Sequence, residues 1–219
     1  MVGANHDSRV TDSRLDHARD GLSEVEGCRL QFFPMLILAS SSPRRADLLR
    51  AAGIPFEVVS VYVDESVLKL EPPGEHVRRL AREKAEAAFA THHDAVVLAA
   101  DTIVLVGGEI MTKPRDGDDA IRMLRLLSGR EHEVLTGVAL VATRGVVVEV
   151  ARTRVWVNPL SETEIAEYVA TGEPLDKAGG YGIQGIGSRF IDRIQGSYSN
   201  VVGLPVALVY RLLKGYPER

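Results

Sequence analysis

The sequence holds a single cysteine, Cys28. A lone thiol excludes an intrachain disulfide and a thiolate metal site. Long apolar runs are missing as well: none approaches the ~18 residues that a bilayer span requires. The N-terminus lacks the basic-then-apolar layout of a secretion signal. There is no excess of positive charge either. The formal net charge is −4, which removes support for binding nucleic acid through a broad basic surface. Basic groups that hold an anion must therefore cluster locally. The histidines do not fall at zinc spacing, since no H-E-x-x-H occurs. His92-His93 closes a helical segment and His132 sits inside a strand-like run. No serine–histidine–acid arrangement, internal repeat or low-complexity tract is visible. A reducing cytoplasm is the expected compartment, with no membrane and no nucleic acid as partners.

What is present is an ordinary globular composition, 45% apolar and 26% charged over 219 residues. That length buries one core, or one core split into two lobes. Two regions are expected. Residues 1–34 read as a disordered arm, because Met1 to Leu30 is polar and shows no helical or strand period. A strong apolar strand begins at Met35, so the arm is read as an extension ahead of a natural start there, with a real mobile tail as the alternative. Deleting residues 1–34 is expected to leave activity and thermal stability almost unchanged. A large loss of either would count against that reading.

From Met35 onward strands and helices mix. The first strand runs through Leu36-Ile37-Leu38-Ala39 into Ser42-Pro43, a cap and first-turn pair. Its helix should stop near Gly53, which suits a left-handed position. A strand is predicted at Phe56 to Val61, then an exposed stretch with Asp64, Glu65 and Pro72-Pro73, then a helix over Glu75 to Thr91. Ala95 to Ala100 has the continuous apolar character of a buried strand. Thr102 to Val106 and Ile110 flank Gly107-Gly108, a hairpin signal. A helix over Asp116 to Leu127, strands over Val134 to Ala142 and Val146 to Val157, and a helix opened by the capping box Ser161-Glu162-Thr163-Glu164 follow. Lys177 to Gly187 reads as a glycine-rich loop before a short strand and an apolar helix ending at Leu213. The hairpins argue against a purely parallel sheet and for a mixed α/β fold. Ligand sites in such sheets lie beyond strand ends, which directs attention to Ser40–Arg45 and to Asp101.

Ser40-Ser41-Ser42-Pro43-Arg44-Arg45 turns a strand into a helix. Free N–H groups there favour an anion. Two arginines in a first turn oppose the helix dipole unless a bound anion offsets them; solvated arginines beside an ordinary cap are the plain alternative. Lys84 shares a helix face with Leu80, Ala81 and Ala88. Spacing leaves two readings open: a stem lying over apolar surface with its head in water, or an ammonium aimed at an anionic ligand. Asp101, at the end of an apolar run, is costly to bury unless partnered or metal-bound. It is read either as a turn cap or as a metal ligand or general base. Asp64 and Glu65 are candidates for a second carboxylate, and magnesium on phosphates takes only one or two. Lys113-Pro114 follows the hairpin. Gly180, Gly182 and Gly185 match G-x-G-x-x-G, but the segment follows a charged loop and leads to the strand-like Arg189-Phe190-Ile191, so a dinucleotide fingerprint is rejected. Gln184 within it can read a base edge or a sugar.

Several segments together resemble one family. They are Leu38-Ala39-Ser40-Ser41-Ser42-Pro43-Arg44-Arg45, Ala100-Asp101-Thr102, Lys113-Pro114, Leu127-Ser128-Gly129, Gly172-Glu173-Pro174-Leu175-Asp176-Lys177-Ala178-Gly179 and Tyr181-Gly182-Ile183-Gln184-Gly185. In this order, from Met35 to about Leu213, they resemble the Maf family of nucleoside triphosphate pyrophosphatases, also called septum formation inhibitor Maf-like proteins. The resemblance implies a twisted mixed α/β sheet in two lobes with a central cleft, similar to inosine-triphosphate pyrophosphatases. It implies hydrolysis between the α and β phosphates with a divalent cation, Mg2+ or Mn2+, and a homodimer. It places the proton acceptor at Asp101, metal ligands at Glu65 and Asp101, and phosphate and substrate contacts at Ser40, Arg44, Arg45, Lys84, Thr102, Lys113 and Gln184. The combination of Arg44, Thr102 and Gln184 resembles the branch acting on dTTP and UTP rather than the branch acting on 7-methyl-GTP. Modified pyrimidine nucleotides are further expected substrates, and a regulator of cell division that binds nucleotide is the competing function. Thr112, ahead of Lys113-Pro114, departs from the more usual glycine or glutamate.

Overall fold

The computed structural model describes residues 35–215. The arm, with Cys28, lies outside the described residues. Seven strands form one sheet: β1 (Leu36–Ala39), β2 (Glu57–Val59), β3 (Val96–Val106), β4 (Glu109–Met111), β5 (Glu131–Ala142), β6 (Gly145–Val157) and β7 (Ile191–Gln195). Their order is β2-β1-β3-β5-β6-β7, with β4 on β3. β1 pairs in parallel with both β2 and β3, and every other pairing is antiparallel. The mixed sheet expected from the hairpins is therefore present. The β3–β4 turn places Gly107 at φ +56° and Gly108 at φ +85°, the two left-handed positions that a tight type I′ hairpin requires.

Six helices cover the sheet: α1 (Pro43–Ala51), α2 (Pro73–Phe89), α3 (Gly117–Leu127), α4 (Glu162–Ala170), α5 (Tyr198–Val202) and α6 (Val206–Lys214). Their ends follow local chemistry. Asp116 caps α3 by accepting from the Asp119 N–H, and Ser161 with Glu164 forms the expected capping box on α4. Gly53, at φ +67°, lies just past α1. Pro73 opens α2 instead of belonging to the preceding loop; its fixed φ suits a first helical residue. Among the described residues no helix is long and apolar enough to cross a membrane.

The cleft arises from a break in one face of the sheet. Along β3, side chains alternate between faces. Val96, Leu98 and Ala100 join an apolar cluster with Ala46 and Leu49 of α1 and with Val209 and Leu213 of α6. Val104 and Val106, on the same face, join a second cluster with Met123 and Leu127 of α3 and with Ile165 and Tyr168 of α4. Thr102 lies between them. β5 repeats the pattern: Val138 and Leu140 fall in the first cluster, Val134 in the second, and Thr136 between. The two threonine hydroxyls are 3.0 Å apart. The expected two lobes are thus two apolar clusters on one continuous sheet, separated by a polar row. α2 covers the opposite face with Ala81, Ala85 and Ala88.

One expectation needs correcting. Asp101 does not end a strand. β3 runs unbroken through it, with Asp101 opposite Gly137 and Thr102 opposite Thr136. The long antiparallel partner β5 supplies hydrogen bonds across the polar pair, so the change from apolar to polar residues does not stop the ladder. Likewise, Arg189-Phe190 lies in a 3-10 turn, Ile186–Phe190, and the strand starts at Ile191.

Candidate active site

An opening in the edge of β3 exposes the polar pair. β1 pairs with β3 as far as Leu98, and β4 takes up pairing at Val104. On that edge residues 99–103 have no strand partner among the described residues. A cavity of about 370 Å³ opens there, a size that suits a small-molecule ligand. Because the strand is pleated, Asp101 and Thr102 project to opposite faces; both line the cavity because this stretch of edge is uncovered.

On the α2 face, the Lys84 ammonium donates to Asp101 Oδ1 at 2.6 Å and lies 2.6 Å from Glu65 Oε1. Lys84 is buried, 8% exposed. A buried ammonium without partners costs several kcal/mol, and here two carboxylates face it. Its head is therefore not in open water: it meets these two carboxylates inside the cavity. Glu65 also stands apart from its neighbour. Burial pulls its carboxyl upward, but the hydrogen bond from Lys84, with the charges of Lys84, Lys113 and Arg45, leaves it below the ordinary carboxylate range. Asp64 does not enter the cavity; it accepts from the Ser66 N–H at 3.0 Å and closes its own turn.

On the other face, α1 presents its two arginines. Arg45 donates to the Gly203 carbonyl (2.8 Å), to Ser40 Oγ (3.3 Å) and to Thr102 Oγ1 (3.1 Å). Burial pushes its guanidinium below the ordinary value, opposed by Asp101 and Glu65. Arg44 turns the other way and clamps Asp176, through Oδ2 at 2.6 Å and the backbone carbonyl at 2.9 Å. Ser42 occupies the cap position of α1 but its hydroxyl caps nothing; instead the Ser42 N–H donates to Ser40 Oγ at 3.1 Å. The first-turn N–H groups and the arginines therefore sit together at the cavity wall, the arrangement that favours an anion.

Lys113 and Gln184 complete the lining as exposed residues. The side-chain amide of Gln184 makes no hydrogen bond to another described residue, whereas the Thr102 hydroxyl is engaged by Arg45, Thr136 and Gly203. All the candidate site residues read from the sequence (Ser40, Arg44, Arg45, Glu65, Lys84, Asp101, Thr102, Lys113 and Gln184) line this one cavity. Five cationic side chains, with Lys177 the fifth, face three carboxylates there. That local excess of positive charge sits in a chain of net charge −4, as an anion site requires.

A protein-family model described as Maf-like protein matches residues 35–216. The chain belongs to the Maf family. Curated relatives are similar across most of their length. A dTTP/UTP pyrophosphatase of Anaeromyxobacter dehalogenans (strain 2CP-C) is 52% identical over 84% of this chain and 96% of its own. The dTTP/UTP pyrophosphatase of Koribacter versatilis (strain Ellin345) is 50% identical over 82% of this chain and 93% of its own. Among solved structures, the Ham1 protein of Staphylococcus aureus is 15% identical with a TM-score of 0.50, covering 83% of this chain and 99% of that one. That likeness is one of fold.

Three groups that shape this cavity carry no strong signal in the sequence. Asp176, which holds Arg44, lies inside a motif that gives no sign of its partner, 132 residues away. The Gly203 carbonyl that holds Arg45 is a backbone group with no sequence signature. Gly137, opposite Asp101, lies directly under α2: a Cβ there would stand 2.1 Å from the Val77 carbonyl oxygen. A glycine inside a strand is a recognised sign of close backbone approach, so this last signal was available.

Proposed function

We propose that this Maf protein hydrolyses dTTP and UTP between the α and β phosphates, releasing the monophosphate and pyrophosphate. The observation that carries the proposal is the placement of Asp101 on the uncovered edge of β3, between Lys84 on one face and the Arg45–Thr102 pair on the other. A carboxylate held among the cations of such a cavity suits a base acting on a polyanion. The names of the curated relatives support the same substrates.

In this reading the α1 end, with Ser40, Arg44 and Arg45, and Lys113 across the cavity hold the phosphates. Asp101 takes the proton of a water that attacks the α-phosphorus, the bond from that phosphorus to the bridging oxygen breaks, and pyrophosphate leaves. The cations stabilise the charge that gathers on it. Lys84, paired with Asp101 at the start, is within the same cavity and can exchange that contact for a phosphate oxygen.

The residues present suit a divalent cation. Glu65 and Asp101 each place an oxygen 2.6 Å from one ammonium, so two hard oxygen donors meet at one place in the cavity. Magnesium takes only one or two carboxylates when substrate oxygens and water complete its shell. When bound there, the cation would neutralise phosphate charge and act as a Lewis acid.

Base choice is assigned to Gln184. Its amide is unengaged, and donor and acceptor together can match the O4 and N3–H edge shared by uracil and thymine. Thr102 contributes by holding Arg45.

Asp101→Asn tests the proposal. Pyrophosphate release from dTTP should fall ~10²–10⁴-fold, while titration calorimetry still detects nucleotide binding. Near-normal turnover would remove Asp101 from its role. A panel of nucleoside triphosphates that yields no pyrophosphate at all would favour the nucleotide-binding regulator, and a preference for 7-methyl-GTP the sister branch.

A further inference from the structure

Gln184 sits in a segment with few side chains to anchor it, Gly182-Ile183-Gln184-Gly185-Ile186-Gly187. Its position is nevertheless determined, from behind. The carboxylate of Glu173 accepts from the Ile186 N–H at 3.0 Å and from the Gly187 N–H at 3.1 Å. The same carboxylate accepts from the Tyr168 hydroxyl at 2.9 Å, and that hydroxyl in turn accepts from the Gly182 N–H at 3.1 Å. Both ends of the segment are thus tied to one acidic group, with Gln184 at the middle of the span. Tyr168 is fully buried at the end of α4, so the clamp is built on a helix that belongs to the apolar core.

The glycines show how closely the segment presses on this clamp. Gly185 has φ +78° and ψ −151°, a region essentially restricted to glycine. A Cβ there would stand 2.9 Å from Glu173 Oε2, and one on Gly187 would stand 2.6 Å from the Tyr168 oxygen. The chain therefore has no room to shift toward the clamp and is bonded against shifting away.

Burial favours a neutral Glu173, but the Gly187 and Ile186 N–H groups and the Tyr168 hydroxyl overcome it and leave the carboxyl below its ordinary value. Burial raises the Tyr168 phenol, with the Glu173 hydrogen bond adding to it, so the hydroxyl stays a donor.

We propose that Glu173 and Tyr168 are positioning residues for base discrimination: they hold the Gly182–Gly187 segment so that the Gln184 amide meets the base edge in one register. The proposal rests on Gln184 as the base-reading residue. The cavity lining contains Gln184 and excludes both clamp residues, so their effect is transmitted through the backbone.

The test compares kcat and KM for UTP, dTTP, CTP and GTP in the full-length protein, its Glu173→Gln and Tyr168→Phe variants, and Gln184→Ala. Glu173→Gln replaces one acceptor oxygen by a donor that opposes a backbone N–H. The expected result is a fall in the UTP-to-CTP ratio of kcat/KM on the order of tenfold, the equivalent of one misplaced hydrogen bond. The change should appear in KM for UTP and dTTP, with kcat moving much less. Tyr168→Phe, a milder change that keeps the ring packing, should move the ratio in the same direction by less. An equal loss on all four nucleotides would show a merely structural role and overturn the proposal, as would an unchanged ratio in both clamp variants. Gln184→Ala separates the two layers. If it collapses the ratio while the clamp variants do not, only the clamp proposal falls. If Gln184→Ala leaves the ratio intact, the base-reading assignment falls and takes the clamp with it.

Discussion

Gly137→Ala places a methyl group where α2 already lies against β5. The added Cβ would be 2.1 Å from the Val77 carbonyl oxygen and 2.5 Å from its carbon, against an ordinary contact of at least 3.4 Å. The obstacle is helix backbone, which cannot swing aside, so α2 must move outward by about 1 Å or the strand must bend. Overpacking of this kind costs about 1–3 kcal/mol. For a domain of this size that corresponds to a fall in Tm of about 2–12 °C. The functional effect should be larger than the stability effect. α2 carries Lys84, whose ammonium meets Asp101 at 2.6 Å, and Asp101 lies directly opposite Gly137 in the ladder. A displacement near 1 Å at such a site costs on the order of 10²-fold in kcat/KM. Gly74→Ala supplies the control. Gly74 lies in the first turn of the same helix, has nothing within 4 Å of an added Cβ, and should leave turnover unchanged while adding up to about 1 kcal/mol of stability. Thermal melts and pyrophosphate release from dTTP measure both variants. Wild-type Tm and turnover in folded Gly137→Ala would refute the claim that this glycine sets the approach of α2.

Arg44→Lys should raise KM for dTTP several-fold while changing stability by less than about 1 kcal/mol: a lysine cannot keep both contacts to Asp176, and a partly exposed ion pair contributes little to folding. An unchanged KM would detach Arg44 from substrate binding. Glu65→Gln should raise the Mg2+ concentration needed for half-maximal turnover, and a chelator should abolish turnover in both forms; equal Mg2+ dependence would remove Glu65 from the metal site. His132, buried against the Tyr181 hydroxyl at 2.7 Å, is pushed by burial from an ordinary 6.5 to about 4. Its folded value lies below the unfolded one, so its contribution is complete above about pH 6.5 and is lost as pH falls toward 4, on the order of 3 kcal/mol. Melts of wild type and His132→Gln across that window should diverge, the variant losing less; parallel curves would contradict the assignment.

Much of this protein was legible before its structure. Helix ends were readable because capping is local: the Ser161–Glu164 box, the Asp116 start and the glycine after α1 act within a few residues. The residue types and their order carry the family resemblance, and the nine residues it names all line one cavity.

What the sequence by itself determined was therefore which side chains are available and where the capped helices α3 and α4 begin. Which of them touch was decided by tertiary structure. Spacing left Lys84 with two readings, and only the fold brings Glu65 and Asp101 to its ammonium. Asp101 read as the end of a strand because apolar residues stop there, yet β3 continues because β5 pairs with it on the other side. Arg44 and Arg45 are adjacent and similar in sequence, but one holds Asp176 and the other Thr102 and Gly203. The reason is common to all three. Strand register, an uncovered edge and contacts across 57 to 158 residues depend on chain partners far away, and no local pattern of residues encodes them.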